Sequence, residues 1–347
     1  MSEPSREVLI VGAGVAGLAC ARALAEAGRP ALLLERARGV GGRCATRRLE
    51  GQPLDHGPAF LHGSDPGFLA ALAAVPATAL PGWPSGVSGT GQPCQAEAFR
   101  PGEVRLAFAE GVNAFPRHLA TGLEVRLEAE VTTLEEAGSR LRLQTAAGQP
   151  LEAPAVVLAL AAEQAGRLLG TLPAALPEVR GARALLDLSR SHACLALLAV
   201  YGEEAPRPGW QVCYPEASRA LQLVSHDSSK RPAGARVALV LQARPAWSRA
   251  HLEDPAWPVA LLEEAGRVLG PWAARPAASH AHRWRHARTD RAAELAGPLL
   301  LTLPGGGRLG VCGDRFAPGG GVEAAWRSGR LMAARLLQGA WPAAGAT

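Results

Sequence analysis

The sequence predicts an α/β fold with an α+β insertion, and three observations carry that expectation. A short apolar strand, a glycine-rich turn, a helix and a second apolar strand occupy the first 35 residues. A strand, a Gly-Asp step and a helix close the chain over 308–337. Between these ends lie mixed strands and helices with no nucleotide pattern of their own, so the middle reads as a domain inserted into the layer that the two ends build.

The elements follow in order. Residues 7–11 (Glu-Val-Leu-Ile-Val) form a buried strand, 18–27 a helix stopped by Gly28, and 31–35 a second strand. Together they make one βαβ unit of the Rossmann type. Residues 36–60 are rich in Gly and Arg and are expected to be mostly loop. Residues 81–102 are dense in Gly and Pro and form no regular core element. Apolar alternation over 123–135 and 139–145 predicts a hairpin or meander. A strand at 156–160 and a helix from Glu163 come next. The middle, about 180–300, supplies strands at 194–201 and 237–242 and a helix at 258–269. A strand at 308–312 and a helix at 323–337 finish the chain.

Composition sets the limits. The chain has 347 residues, 48% apolar and 19% charged, enough for about two domains with real cores. A disordered chain and a disulfide scaffold are excluded. The net charge is +5, and Lys230 is the one lysine. The arginines are spread along the chain without interleaved aromatics, so no nucleic-acid partner is expected. No apolar run is long enough to span a bilayer, and no membrane partner is expected. Six scattered cysteines with no Cys-x-x-Cys pair suit a reducing cytoplasm.

Gly12, Gly14 and Gly17 stand between the first strand and helix as G-x-G-x-x-G. The first glycine permits the tight turn, the second lets backbone approach a pyrophosphate, and the third packs helix against strand. The helix N-terminus then offers free N–H groups and the positive end of its dipole. Glu35, 23 residues after Gly12, ends the next strand, where a carboxylate accepts hydrogen bonds from ribose hydroxyls. NAD and FAD share this fingerprint. Gly41, Gly42 and Arg43 can wrap a pyrophosphate from its far side. Gly313-Asp314 can set a carboxylate on a polyol such as ribityl. The turn Gly319–Gly321 ahead of Val322 and Glu323 sets a second helix N-terminus near the pyrimidine edge of a reduced flavin. Three separated elements around one cofactor fit FAD better than NAD.

Those segments, with Asp55-His56-Gly57 and Val131, resemble the flavin amine oxidase superfamily. Gly111–Phe115, Asp227–Lys230, Ala246–Arg249, Ala281–Trp284, and Cys312–Asp314 with Val322–Trp326 are similar to its bacterial renalase branch. The likeness runs from about 7 to 338. It implies a glutathione-reductase-like, Rossmann-type FAD-binding domain at 1–62, 103–168 and 300–342, and an α+β substrate domain at 63–102 and 169–299. It implies non-covalent FAD held by Gly12, Gly14, Ala16, Gly17, Glu35, Arg36, Gly42, Arg43, Val131, Gly313, Asp314 and Val322. It sets Gly57, Pro58 and Ala59 beside the isoalloxazine. It also implies an oxidase that takes hydride from misplaced dihydro isomers of NAD(P)H and passes the electrons to oxygen, forming hydrogen peroxide. The partners expected are therefore a small-molecule substrate and molecular oxygen.

The sequence departs from that branch at Arg315–Gly321, at Pro58–His62 and at His286-Ala287, segments expected to border the flavin or its substrate. Phe60, His62, His226, Trp284 and His286 are the candidates for the substrate wall. A dihydropyridine is electron-rich, so alignment and exclusion of water matter more than a strong base. Lys230 reads as a solvated turn lysine in Asp-Ser-Ser-Lys-Arg-Pro; the functional alternative is a lysine that holds water at flavin N5. His280, His282 and His286 lack a supporting carboxylate or cysteine, and no metal is expected. Three alternatives stand beside the renalase-like reading. One is an amine oxidase, although Tyr201 and Tyr214 lie outside the C-terminal flavin segment where a framing aromatic pair is usual. Another is an oxidase or desaturase of a secondary metabolite. The last is a non-catalytic FAD-binding protein.

Overall fold

The computed structural model describes residues 6–338 apart from 147, 149, 189, 190, 233, 291 and 293. Of the described residues, those within 1–42, 116–191 and 289–347 make one compact unit, and those within 43–115 and 192–288 make another.

The first unit is built on a six-stranded sheet. Its order is Leu299–Thr302, Arg308–Val311, Ala155–Leu158, Val8–Val11, Leu32–Leu34 and Glu124–Arg126. All neighbours are parallel except the first pair. The central strands are apolar on every residue (VLIV, LLL, AVVL), as a sheet covered on both faces requires. One face carries helix Val15–Glu26, which packs on the last helix, Gly321–Gln338. Gly329 makes that approach possible, since a Cβ there would lie 2.1 Å from the Ala16 carbonyl. The opposite face meets the three-stranded sheet Val131–Ala137, Arg140–Thr145 and Leu151–Ala153 and the helices Ala162–Leu169 and Pro177–Asp187. Leu9, Leu134, Leu143, Val156 and Leu309 are fully buried in that core, each worth roughly 1.5–3 kcal/mol of apolar burial.

The second unit is α+β. Its six-stranded sheet runs Ala278–Thr289, Ser191–Val200, Ala238–Ala243, Leu221–His226, Val212–Cys213 and Val87–Ser88. A three-stranded sheet of Leu61–Gly63, Val104–Phe108 and Ala79–Pro81 and the helices Pro66–Ala73, Pro245–Ala250 and Trp257–Leu269 complete it. Asp65 caps the first of these helices, accepting from the Phe68 N–H at 2.9 Å, and Pro66 takes its first turn. Odd-numbered residues of Ser191–Val200 and Ala238–Ala243 pack on Trp257 and Leu261. Even-numbered Leu198, Val200, Ala238 and Val240 face the other way and cover Leu54.

Residues 36–60 are mostly loop, as expected, and also contain a hairpin, Thr46–Leu49 with Gln52–Asp55. Its turn puts both Glu50 and Gly51 at positive φ, the geometry of a two-residue hairpin turn, which Glu-Gly signals less plainly than Asn-Gly. The two compact units divide the chain at points other than those of the expected domains. Residues 43–62 and 103–115 belong with the second unit, because Leu54 packs on its sheet and Leu61–Gly63 pairs with Val104–Phe108. Residues 169–191 and 289–299 belong with the first, where Val179, Ala182 and Leu186 join its core. Among the described residues no helix is long and apolar enough to cross a membrane.

Candidate functional site

In the first unit the three glycines do different work. Gly12 has φ +103, and a Cβ on it would lie 2.5 Å from the Ala159 carbonyl. A Cβ on Gly17 would fall 2.0 Å from the Gly12 carbonyl. Gly14 differs: a Cβ there meets nothing within 4 Å, so packing within the protein does not demand glycine. A group lying against the backbone would. No side chain caps the helix that begins after Gly14, which leaves its first N–H groups to a phosphate. The chain returns alongside at Gly41, whose N–H donates to the Ala13 carbonyl at 2.8 Å, and a Cβ on Gly42 would stand 3.3 Å from Gly14 Cα. Ala16 is buried in the first helical turn and Arg36 is exposed.

Glu35 is fixed on both oxygens. Its Oε2 accepts from the Ala13 N–H at 2.8 Å and its Oε1 from the Ala37 N–H at 2.9 Å. An ionised carboxylate has about four acceptor positions, so sites for ribose hydroxyls remain. At the other end, the Gly313 N–H donates to Ser328 Oγ at 3.1 Å, and Thr289 Oγ1 donates to Asp314 Oδ2 at 3.2 Å. Gly319, Gly320 and Gly321 all have positive φ and lead into the last helix, with Val322 in its first turn. Val131 is buried beside an irregularity in its strand pairing. This set fits FAD: an open backbone cradle at a helix start, a held carboxylate for ribose, and a second acid at a strand end. Arg315 and Phe316 are held inside the first unit. Arg315 is buried and donates to the carbonyls of Leu185 and Leu186 at the end of helix Pro177–Asp187, and Phe316 lies in the unit's core.

The second unit holds Arg43, Gly57, Pro58 and Ala59. Arg43 Nη1 donates to the Ala287 carbonyl at 3.5 Å. A Cβ on Gly57 would lie 1.9 Å from the Arg43 carbonyl, and Gln242 Nε2 donates to the Gly57 carbonyl at 2.6 Å. Pro58 is partly exposed and Ala59 is buried.

The five wall candidates separate. Phe60 is a core residue, fully buried and edge-on to Trp83 and Phe99. His62 is bracketed by carboxylates, Glu103 at 3.0 Å from Nδ1 and Glu97 at 3.8 Å from Nε2. His226 is buried at a strand end with Nδ1 3.3 Å from the Trp210 carbonyl, and burial lowers its pKa. Trp284 and His286 share one face of strand Ala278–Thr289. Trp284 Nε1 donates to the His56 carbonyl at 2.8 Å, and its ring stacks on His56 with centroids 5.3 Å apart.

His56 and His282 complete that aromatic group, and the sequence reading missed His56 as a member. His282 lies 4.8 Å from His56 and 4.1 Å from Trp284, ring to ring. Burial first, and then neighbouring positive groups, pull His56 down to about 3 and His282 to about 4. Both rings are neutral near pH 7. The signal available was the Asp-His-Gly adjacency.

Lys230 overturns its expectation most fully. It is not a solvated turn residue: its side chain is 0% exposed. Its Nζ donates to Asp55 Oδ2 at 2.7 Å and Asp227 Oδ1 at 2.6 Å, and stands 4.5 Å over the Trp83 ring. Asp55 also accepts from Thr46 Oγ1 at 2.5 Å and the Val112 N–H at 2.9 Å. Arg231 binds Asp227 on its other oxygen. Both tyrosines are buried in this unit, Tyr201 donating to the Ala273 carbonyl at 2.9 Å. Among the described residues no three His, Cys, Asp or Glu side chains gather to hold a metal, and all six cysteines are free.

Residues 90–337 match the flavin containing amine oxidoreductase family, and residues 10–74 match an NAD(P)-binding Rossmann-like domain. A candidate flavin-containing monoamine oxidase of Mycobacterium tuberculosis is 44% identical over 64 residues, 18% of this chain and 14% of that protein. The phytoene desaturase of Fusarium fujikuroi is 39% identical over 61 residues, 18% of this chain and 11% of that one. The chain thus spans only about a seventh of these curated relatives, or less. Putrescine oxidase bound to putrescine is similar in structure with a TM-score of 0.71 at 18% identity, covering 96% of this chain and 99% of that one. Cyclohexylamine oxidase from Brevibacterium oxydans has a TM-score of 0.73 at 16% identity, with the same coverage. At such identities the likeness is one of fold. The family match covers most of the chain, and the chain belongs to the flavin containing amine oxidoreductase family.

Proposed function

We propose that the protein is a renalase-like, cytoplasmic oxidase whose substrate is a dihydro isomer of NAD(P) and whose acceptor is oxygen. In this reading the first unit is the glutathione-reductase-like FAD domain. When bound, FAD would supply a two-electron acceptor for the hydride, and its electrons with a further proton would convert oxygen to hydrogen peroxide. Gly14 and the helix start hold the pyrophosphate, Glu35 the ribose and Asp314 the ribityl chain.

The observation that carries the reading is the uncharged aromatic group of His56, His282 and Trp284. A dihydropyridine needs a flat surface that aligns it and keeps water away, and it needs no base. Trp284 serves from a fixed position, because its N–H is spent on the His56 carbonyl. The likeness to the renalase branch at Asp227–Lys230 and Ala281–Trp284 supports the same conclusion.

A second reading, an amine oxidase or a desaturase of a small metabolite, is favoured by the solved relatives that act on putrescine and cyclohexylamine. Against it, neither tyrosine is placed to frame an amine: Tyr201 and Tyr214 sit in cores of the second unit. Anaerobic stopped-flow mixing decides between them. Rapid bleaching of the flavin band by a dihydro isomer, with peroxide formed on re-aeration, is the expected result. Bleaching by putrescine or cyclohexylamine alone overturns the proposal.

A further inference from the structure

Exposure alternates along strand Ala278–Thr289. Arg283 and Arg285 are exposed, while His282, Trp284, His286 and Arg288 share the opposite, partly buried face. Arg288 reaches far across that face. Its Nη2 donates to Gln222 Oε1 at 2.7 Å and its Nη1 to the Cys94 carbonyl at 3.2 Å. Gln222 belongs to a strand two places beyond the nearest neighbour, so the guanidinium lies over the sheet floor. Gln242 shares that floor, and its amide holds the Gly57 carbonyl.

Gln222 and the Cys94 carbonyl are neutral partners of Arg288, and the Cys94 thiol also lies against the guanidinium. Among the described residues no carboxylate comes within salt-bridge distance of it, and Glu97 acts on it only from farther away. A partly buried guanidinium with neutral partners keeps its charge and its spare N–H donors. An anionic oxygen group placed against it gains charge-assisted hydrogen bonds and relieves an uncompensated charge. An ammonium placed there meets repulsion.

We propose that Arg288, steadied by Gln222 and the Cys94 carbonyl, is an anion-recognition point of the substrate site and selects substrates that carry a carboxylate or phosphate. The assignment rests on the reading above, in which Trp284 belongs to the substrate wall. About four residues of strand, or ~13 Å, separate Trp284 from Arg288 along the backbone. A ring at Trp284 and an anionic group at Arg288 therefore belong to one elongated substrate. A simple monoamine carries the wrong charge for this face.

The test is binding, read from the flavin absorption of the purified holoprotein. Nicotinate, nicotinamide and benzylammonium are titrated into wild type, Arg288→Met and Arg288→Lys. Nicotinate is expected to perturb the flavin band of wild type, with benzylammonium at least tenfold weaker. Arg288→Met is expected to raise the nicotinate dissociation constant at least tenfold while nicotinamide changes little, and Arg288→Lys to recover part of the loss. If Arg288→Met loses FAD, Arg288→Gln replaces it. Competition by inorganic phosphate separates recognition of phosphate from recognition of carboxylate. No perturbation by nicotinate, equal binding of benzylammonium, or an unchanged constant in the Met variant each overturn the assignment. If nicotinate binds through Arg288 but no dihydro isomer bleaches the flavin, the anion site stands and the renalase-like activity falls. The reverse pair of results removes the anion site alone.

Discussion

Lys230 joins chain segments that are far apart in sequence. Asp55 is 175 residues away from it, yet the two side chains meet with no exposure to solvent. Two carboxylates, one ammonium and one guanidinium balance in charge there, and Asp55 has its oxygens filled by Lys230, Thr46 and Val112. Burial pushes the Asp55 carboxyl up while Lys230 pulls it down. Replacing Lys230 with Met leaves two aspartates facing one another without the cation between them. The expected loss is about 3–5 kcal/mol, the usual cost of breaking one side of a buried pair. A lower urea midpoint checks it, and Asp55→Asn added to that variant should recover part of the loss. A change within ~0.5 kcal/mol would mean that the network does not hold the unit together. Nothing local could have revealed this. Asp-Ser-Ser-Lys-Arg-Pro is polar and turn-forming, and only the fold brings an acid to it. The partners of Arg315 are hidden for the same reason, since the carbonyls it meets lie about 130 residues upstream.

At the scale of elements, period was the readable signal. The unbroken apolar runs at 8–11 and 155–158 announced a covered parallel sheet, and both strands lie at its centre. His280 and His282 at i, i+2 were legible as one strand face. What they face was not, because His56 arrives on a hairpin whose Glu-Gly turn gave a weak cue. That packing has a pH signature. The folded pKa of His56 is about 3, far below its ordinary value, and burial is the main cause. Below pH ~6.5 the unfolded chain takes a proton at this ring that the folded chain refuses. Stability from His56 is therefore complete above pH ~6.5 and is lost as pH falls toward 3, by up to ~1.4 kcal/mol per pH unit. His282 acts in the same direction, less strongly because it is partly open to water. His56→Phe keeps a ring against Trp284 and removes the titration. Urea midpoints at pH 7 and pH 4.5 should converge in that variant relative to wild type. An equal drop in both proteins would assign the acid sensitivity to other groups.

For the whole molecule, the motifs at the two chain ends were read as one layer, and strands Val8–Val11 and Arg308–Val311 do flank Ala155–Leu158 in a single sheet. The cut points were less legible, because unit membership depends on which sheet a loop covers, and Leu54 or Val179 looks the same to either core. The cofactor gives the molecule a further property, stability that depends on occupancy. A group that binds only the folded chain stabilises it by about 2.7 kcal/mol at a hundred times its dissociation constant. Two glycines separate this effect from ordinary packing. Gly17→Ala drives a Cβ to 2.0 Å from the Gly12 carbonyl, so the apoprotein itself should weaken by about 1–3 kcal/mol. Gly14→Ala points its methyl into open space at an ordinary negative φ, and its apoprotein should melt within ~0.5 kcal/mol of wild-type apoprotein. On the proposed reading the methyl then stands where the pyrophosphate would lie against the backbone. Thermal melts of FAD-stripped and FAD-reconstituted protein read both effects. Wild type should gain stability on reconstitution, and Gly14→Ala should gain little or none while remaining folded. A full gain in Gly14→Ala would show that the pyrophosphate does not approach the chain at this residue, and the cradle would then have to be sought elsewhere along the Gly41–Gly42 return.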